Sequence, residues 1–377
     1  MKIKTTIATL LLCSIAGSVF AIHHINNAEL EKVAYYIESS IENNNPSFIN
    51  LNFQYEHFCA AFVNTNASHS EFNSSFVTEL ESYLTPGNLV LDQAGSVYSY
   101  QFVSSFSEGD KTSMVFRLQS EGGLDYHEYT LVKEEGNYRI IDLYMFYDGT
   151  RLSEQIAELY QVLSETMLPE IYKKKNAKDT KQHLQAEKKM LNNLAGEDFS
   201  KATKQWQKLD IKLRNKKSIL LYALRAASYT DATLTKQIFD KINVLYPETE
   251  GAKLIVLEGL FIQKEYNQTL KYIDQLDEAV HTDPYLNYLR ASVYKNMQET
   301  ERAEWLLNKC IVDLPRSEAG YFSLLELYLE SERYTDATSI LTQITENLGF
   351  LKDDLNTLVQ NYPEFASSQE YTMWITE

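Results

Sequence analysis

Tyr98, Tyr100, His127, Asp142 and Tyr144 are the residues of the N-terminal half whose side chains suit proton transfer. A histidine or carboxylate can take a proton near neutral pH and a tyrosine can give one, provided a pocket gathers and dries them. Asp142 sits within Ile140-Ile141-Asp142-Leu143, where burial would raise its pKa, whereas an alternating strand would turn it to solvent. His127 and Glu128 are adjacent on a predicted strand, so their side chains point to opposite faces and do not form one site. Fuller constellations are absent from the sequence. There is no H-E-x-x-H, no G-x-S-x-G, no C-x-x-C, no G-x-x-x-x-G-K-S/T and no EF-hand loop. Ile22-His23-His24 would open a processed chain, and a His pair there binds a metal only weakly on a solvated terminus. The residues therefore predict no catalytic site, no metal and no cofactor.

The chain has 377 residues, 44% hydrophobic and 23% charged, with a net charge of −17. That is two or three domains of ordinary globular composition. An acidic surface repels phosphates and anionic membranes, so a nucleic-acid role is not expected. The charge is unevenly spread. Residues 1–169 carry 8 Lys and Arg against 21 Asp and Glu, and residues 218–377 carry 13 against 25. Between them, residues 170–217 carry 14 against 6, a net of +8. Lys173, Lys174, Lys175, Lys178, Lys181, Lys188 and Lys189 supply half of these cations, after Pro169. This reads as a solvated helical junction matched to its acidic neighbours, or as a docking strip for an acidic partner.

The start, MKIKTTIATLLLCSIAGSVFA, has Lys2 and Lys4, then an apolar stretch over 7–20, then Val19-Phe20-Ala21. This is the layout of a secretory signal cleaved after Ala21, giving a periplasmic or extracellular protein. About 14 residues reach only about 21 Å, short of a bilayer core of about 30 Å. A lipoprotein signal acylated at Cys13 is the rival, but Leu10-Leu11-Leu12 stand where a small residue is usual. No other run is long and apolar enough to span a membrane. Cys59 and Cys310 remain after processing, as two small buried hydrophobes or as one long-range bridge.

Stepping along the chain, 24–85 reads as helices. Leu30, Val33, Ala34 and Ile37 recur at helical spacing, and Phe72, Phe76, Leu80 and Leu84 form a run that ends at Pro86-Gly87. From 89 to 148 the period changes. Aromatic and β-branched segments over 97–103, 114–118, 126–132 and 138–146 alternate with connections holding Gly109, Gly122-Gly123 and Gly136, an antiparallel meander. Helices followed by a meander predict an α+β domain over 22–168, with helices covering one sheet face. This element order resembles the NTF2-like α+β superfamily, in which helices cap a bent antiparallel sheet. The resemblance would make Tyr98, Tyr100, His127, Asp142 and Tyr144 candidates for the mouth of a cone, lining a small-ligand or catalytic pocket. That fold hosts isomerases, dehydratases and binding modules, so no activity transfers with it.

From about residue 218 the sequence repeats with a period of 34. Phe239, Ile273, Leu307 and Leu341 share one phase, Ala303 and Ala337 another, and Pro247, His281, Pro315 and Gly349 a third. Leu257, Ala291 and Leu325 align, as do Leu260, Tyr294 and Tyr328. Cys310 aligns with Ile242, Leu276 and Ile344, which makes it a packing position. An earlier copy around Phe199, Ala202 and Trp206 lies one residue out of phase. The pattern, best over 284–317, resembles the tetratricopeptide repeat (TPR) family. The family's usual Gly is replaced by Leu257, Ala291 or Leu325.

The charge run predicts a basic helical linker over 169–185, and the resemblance implies about five helical hairpins over 186–349 with a closing capping helix over 350–377. Stacked hairpins build an all-α superhelix whose concave face is lined by the first helix of each repeat. Phasing places Glu258, Phe261, Tyr285, Tyr288, Lys295, Phe322 and Glu326 on or near that face, where aromatics beside charges suit capture of an extended peptide or protein segment. The same aromatics could instead pack between repeats. Glu258 and Glu326 do not fit the Asn, Lys and Arg clamp with which some TPR proteins hold a terminal carboxylate. The expectation is an exported, non-enzymatic protein-interaction scaffold or assembly factor; the alternative is a ligand-binding or catalytic N-terminal domain with the repeats as its docking arm.

Overall fold

A computed structural model describes residues 27–63, 70–120, 123–167, 177–247 and 249–376. The signal-like segment, Cys13, His23, His24 and Lys173 to Lys175 lie outside the described residues. The N-terminal half opens with α1 (Ala28–Glu42), α2 (Ser47–Leu51), α3 (Tyr55–Ala60), α4 (Ser70–Tyr83) and α5 (Pro86–Ala94). Asn27 caps α1 by accepting the Glu29 N–H at 2.9 Å, and Leu30, Ala34, Ile37 and Ile41 form its buried stripe. Pro86 opens α5 instead of ending the helical region, because a proline in the first turn gives up only an N–H that has no helical partner.

The meander follows as β1 (Val97–Glu108), β2 (Lys111–Ser120), β3 (Gly123–Glu134), β4 (Asn137–Met145) and β5 (Thr150–Arg151), all antiparallel in sequence order. Glu135 and Gly136, at φ 48° and 85°, make the two-residue turn that a tight hairpin requires. Register shifts between Phe102 and Ser104 and between Thr130 and Leu131 are irregularities of the kind that bends a strand. The helices α1 to α5, with α6 (Leu152–Met167), cover one face, packing on Tyr100, Phe102, Met114, Phe116, Tyr129 and Leu143.

The other face is covered too. Val103, Val115, Tyr126 and Tyr144 belong to one core with the helical repeats, which is why nearly every residue of β2 is buried. The expectation of helices on one face alone is therefore incomplete.

The second half comprises α7 (Ala177–Ala195), α8 (Phe199–Gln207), α9 (Ile211–Arg214), α10 (Lys217–Ser228), α11 (Ala232–Leu245), α12 (Ala252–Ile262), α13 (Tyr266–Ala279), α14 (Leu286–Asn296), α15 (Thr300–Asp313), α16 (Glu318–Glu330), α17 (Tyr334–Leu348), α18 (Lys352–Val359), α19 (Pro363–Ala366) and α20 (Gln369–Thr376). The second helices α11, α13, α15 and α17 begin at 232, 266, 300 and 334, each 34 residues after the last, whereas α8 begins 33 before α11. The turns repeat as strictly. Lys264, Gln298 and Glu332 all take left-handed φ values, and Glu265, Glu299 and Arg333 N–H groups donate to the Leu260, Tyr294 and Tyr328 carbonyls at 2.9 Å. Ile242, Leu276, Cys310 and Ile344 are all fully buried. Ala303 and Ala337 fill the seam that Thr235 and Thr269 fill in earlier repeats, where each hydroxyl is satisfied by the carbonyl four residues back. The result is a TPR-like stack of helical hairpins.

Two boundaries differ from the sequence reading. The first hairpin helix, α7, begins at Ala177, inside the stretch read as a linker. The C-terminal segment is three short helices because Tyr362-Pro363 and Ser367-Ser368 interrupt it. Cys59 and Cys310 are both free and buried; burial pushes their thiols up to about 12 and about 11.

The sheet seats on the loops between repeats. Arg117 of β2 pairs with Asp283 in the α13–α14 loop at 2.5 Å, with both side chains nearly inaccessible. Tyr126 donates to the other Asp283 oxygen at 2.7 Å, and the Arg117 guanidinium lies 4.6 Å over the Tyr285 ring. Burial alone would lower the Arg117 pKa, but Asp283 and its neighbours raise it, so the guanidinium keeps its charge. Ser104 donates to the Val280 carbonyl at 2.8 Å, and the Gly251 N–H donates to the Tyr144 hydroxyl at 2.8 Å.

Candidate protein-interaction surface

The first helices of the hairpins, α12, α14 and α16, present one face in register. The 34-residue phase aligns Leu254 with Tyr288 and Phe322, Glu258 with Ser292 and Glu326, and Ile262 with Asn296 and Glu330. Side chains four residues apart lie about one turn along the same side of a helix, so these rows run across the stack. Glu258, Ile262, Asn296 and Glu330 are exposed.

Neighbouring helices are tied across this face. Lys295 of α14 reaches Glu326 and Glu330 of α16 at 2.8 and 2.9 Å, and Tyr229 donates to Glu258 at 2.6 Å. Burial, then the two carboxylates, act in opposite senses on Lys295, and its pKa is raised on balance. Tyr229 is itself stacked on Phe199 at 4.2 Å, its pKa raised by burial and by Glu258. The surface therefore offers fixed charges of both signs, with half-buried aromatics between them. Such a surface can hold a polypeptide by backbone and side-chain hydrogen bonds around aromatic contacts.

Of the groove residues expected from sequence, Glu258, Lys295 and Glu326 lie on this face with the partners just given. Tyr288 and Phe322 lie on it half-buried, against Tyr285 at 5.3 Å and Phe350 at 5.4 Å. Phe261 is half-buried and packs toward Tyr266 at 6.0 Å. Tyr285 is not on the face: it is 8% exposed beneath Arg117, because its position aligns with Gly251 and Ala319 at the very start of each first helix, beside the loops between repeats. Tyr229, Ile262 and Asn296 were missed; the same phase arithmetic, carried one turn further, finds Ile262 and Asn296 but not Tyr229, which aligns with Gln263.

The residues proposed for an N-terminal pocket are not gathered. Tyr100 and His127 meet at 2.9 Å, with Tyr129 at 3.1 Å from the Tyr100 hydroxyl, but all three are fully buried on the helix-covered face. Burial holds both tyrosines well above the usual range. Tyr144 lies on the opposite face against Gly251, and Tyr98 is exposed at the start of β1. Asp142 accepts from the Ser153 hydroxyl and N–H at 2.6 and 3.1 Å, anchoring the first turn of α6; burial raises its pKa while these bonds oppose the rise. Strand alternation separates these groups. Glu128 likewise turns away from His127 and takes Ser113 and Arg151. Among the described residues no cluster of metal-ligating side chains occurs, and no helix is long and apolar enough to cross a membrane.

No protein-family model matches the chain, and no curated protein matches it. Among solved structures it is similar to "MamA 41-end" from Desulfovibrio magneticus RS-1, at 17% identity and TM-score 0.36, over 44% of this chain and 94% of that one. A MamA RS-1 ArsTM double mutant matches at 17% identity and TM-score 0.35, over 44% and 93%. A further MamA mutant matches at 12% and 0.33, over 45% and 98%.

Proposed function

We propose that the chain is a non-enzymatic scaffold or assembly factor that holds an extended segment of a partner protein on the face formed by α12, α14 and α16. The observation that carries this is the register of that face: three successive helices repeat the same rows at the 34-residue period, with exposed positions beside half-buried aromatics. A stack of hairpins buries its own core and leaves such a face for another polypeptide. Export is part of the proposal and rests on the N-terminal sequence, whose Lys2, Lys4, apolar stretch and Ala21 have the order of a cleavable signal. Its check is the intact mass of the chain recovered from the cell envelope or medium. A start at Ile22 supports cleavage, and a diacylated Cys13 overturns it.

The interaction is tested with a photocrosslinking residue at Glu258 or Asn296 in the full chain, and at Lys309 on α15 as the comparison. One recurrent adduct from the first two positions, absent from the third, is the expected result. Equal labelling at all three would overturn the assignment of the face.

A further inference from the structure

A second surface is chemically unlike the first. An open groove of about 680 Å³ runs between α7 and α8 and under α9. Each long helix turns one face into it. Gln182, Gln185 and Lys189 line it from α7, and Lys201, Lys204 and Lys208 from the α8 side. Both sets are spaced i, i+3, i+7, the spacing of a single helix face. Trp206 of α8 turns the other way, into the core shared with α10, and Ala202 is fully buried. The floor is apolar, with Leu209 and Leu213 half-buried.

Among the described residues the lysines are not neutralised by their own chain. Lys189, Lys204 and Lys208 have no carboxylate within ion-pairing distance among the described residues, and Lys201 reaches Asp198 only at 3.9 Å. The one acid lining the groove, Asp210, is already committed to the Lys212 and Leu213 N–H groups at 2.9 and 3.1 Å. All four lysines are exposed. The groove sits in the one stretch with a positive balance, in a chain whose net charge is −17.

We infer that this groove docks an acidic, aliphatic peptide segment of a partner protein. The lysines are strung out, which suits several carboxylates along a chain better than one compact anion: seven residues of helix separate Lys201 from Lys208, about 10 Å, or about three residues of extended peptide. The leucine floor takes the aliphatic side chains between the carboxylates. A second copy of this chain is the poorer occupant, because two bodies of net charge −17 repel as they approach. This surface is separate from the α12, α14 and α16 face, so the two proposals stand or fall independently.

The test uses the full chain and a fluorescein-labelled peptide of alternating glutamate and leucine, read by fluorescence anisotropy. The comparison probes are the same peptide with glutamine for glutamate, and phosphatidylglycerol vesicles. Saturable binding that weakens as salt rises is expected. Lys201→Glu with Lys204→Glu and Lys208→Glu should weaken it about tenfold or more, since three exposed pairs contribute a few tenths of a kcal/mol each before repulsion is added. Unchanged circular dichroism of this variant shows that it still folds, as expected for exposed positions. Ile262→Arg, on the other face, should leave peptide binding unchanged. The inference is overturned if the triple variant binds as tightly as the parent, if the glutamine peptide binds equally well, or if only the vesicles bind. Self-association that the triple variant abolishes would overturn it in favour of a second copy.

Discussion

Replacing Asp283 with asparagine tests how the sheet is held to the repeats. The substitution keeps an oxygen for the Tyr285 N–H, which Asp283 accepts at 3.0 Å, but removes the charge facing Arg117. The Arg117 side chain is 4% exposed and its carboxylate partner 1%, so the guanidinium is left buried without a counter-ion. Breaking a buried pair from one side costs about 3–5 kcal/mol, which for a chain of this size lowers the melting temperature by roughly 5 °C. Arg117→Met alone should cost a similar amount by stranding Asp283. The double variant removes both charges, so it should recover much of the loss and show a coupling of about 2 kcal/mol or more. Thermal and urea unfolding of the four proteins, followed by circular dichroism, measure the cycle. The reasoning fails if Asp283→Asn stays within about 1 kcal/mol of the parent, the cost of an exposed pair, or if the two single losses simply add.

Three further outcomes are expected. Glu38 accepts the Phe102 N–H at 2.5 Å, and burial raises its pKa from 4.5 to about 7, against that hydrogen bond and with help from Glu42. A carboxyl whose pKa is raised on folding favours the fold when protonated, so its contribution is full below about pH 4.5 and is lost as pH rises through about 7. Glu38→Gln should therefore match the parent near pH 4.5 and exceed it at pH 8 by up to roughly 3 kcal/mol; equal urea midpoint differences at both pH values would contradict this. Gly251→Ala should cost more than about 2 kcal/mol, because its Cβ would fall 2.0 Å from the Phe146 carbonyl oxygen, whereas Gly196→Ala, with 3.4 Å of room, should change the melting temperature little. Cys59 and Cys310 should resist a thiol reagent at pH 8 in the native protein and react fully in denaturant; rapid native labelling of either would show that it is not buried as described.

The repeat was legible because it is written in single residues at fixed spacing. Cys310 could be assigned to packing from Ile242, Leu276 and Ile344 alone, and the one-residue slip of the first copy appears in the start of α8. The sheet was legible as strands, since aromatic and β-branched residues between glycine turns leave few other options. What covers its second face was not. Arg117 on a strand reads as a solvent-facing residue, and only the fold shows that Asp283, 166 positions away, meets it. Tyr285 was misplaced for the same reason: phase gives a residue's position in the repeat but not which positions another part of the chain occupies. Pro86-Gly87 looked like a stop because proline ends and begins helices with the same local geometry. The proton-transfer candidates dispersed because the register sets Tyr144 opposite Glu128 and not His127, so Tyr100 and His127 share one face while Tyr144 lies on the other.

The packing of the sheet also bears on what the repeats can do. In a stack of hairpins each unit contacts only its neighbours, so the angle between units is set locally and the whole is compliant. Here Gly251 lies against Phe146 and Tyr144, Asp283 and Tyr285 against Arg117, and Leu124 against the cluster of Tyr285, Cys310 and Leu314 beside Ala319. Gly251, Tyr285 and Ala319 occupy one phase of the repeat. A single sheet therefore bears on two successive loops, α11–α12 and α13–α14, and acts as a splint along that edge of the stack. The spacing between α12 and α14 is then fixed from outside as well as by their own contacts. A face held at fixed spacing loses less conformational freedom when it binds an extended partner, and that saving appears as affinity.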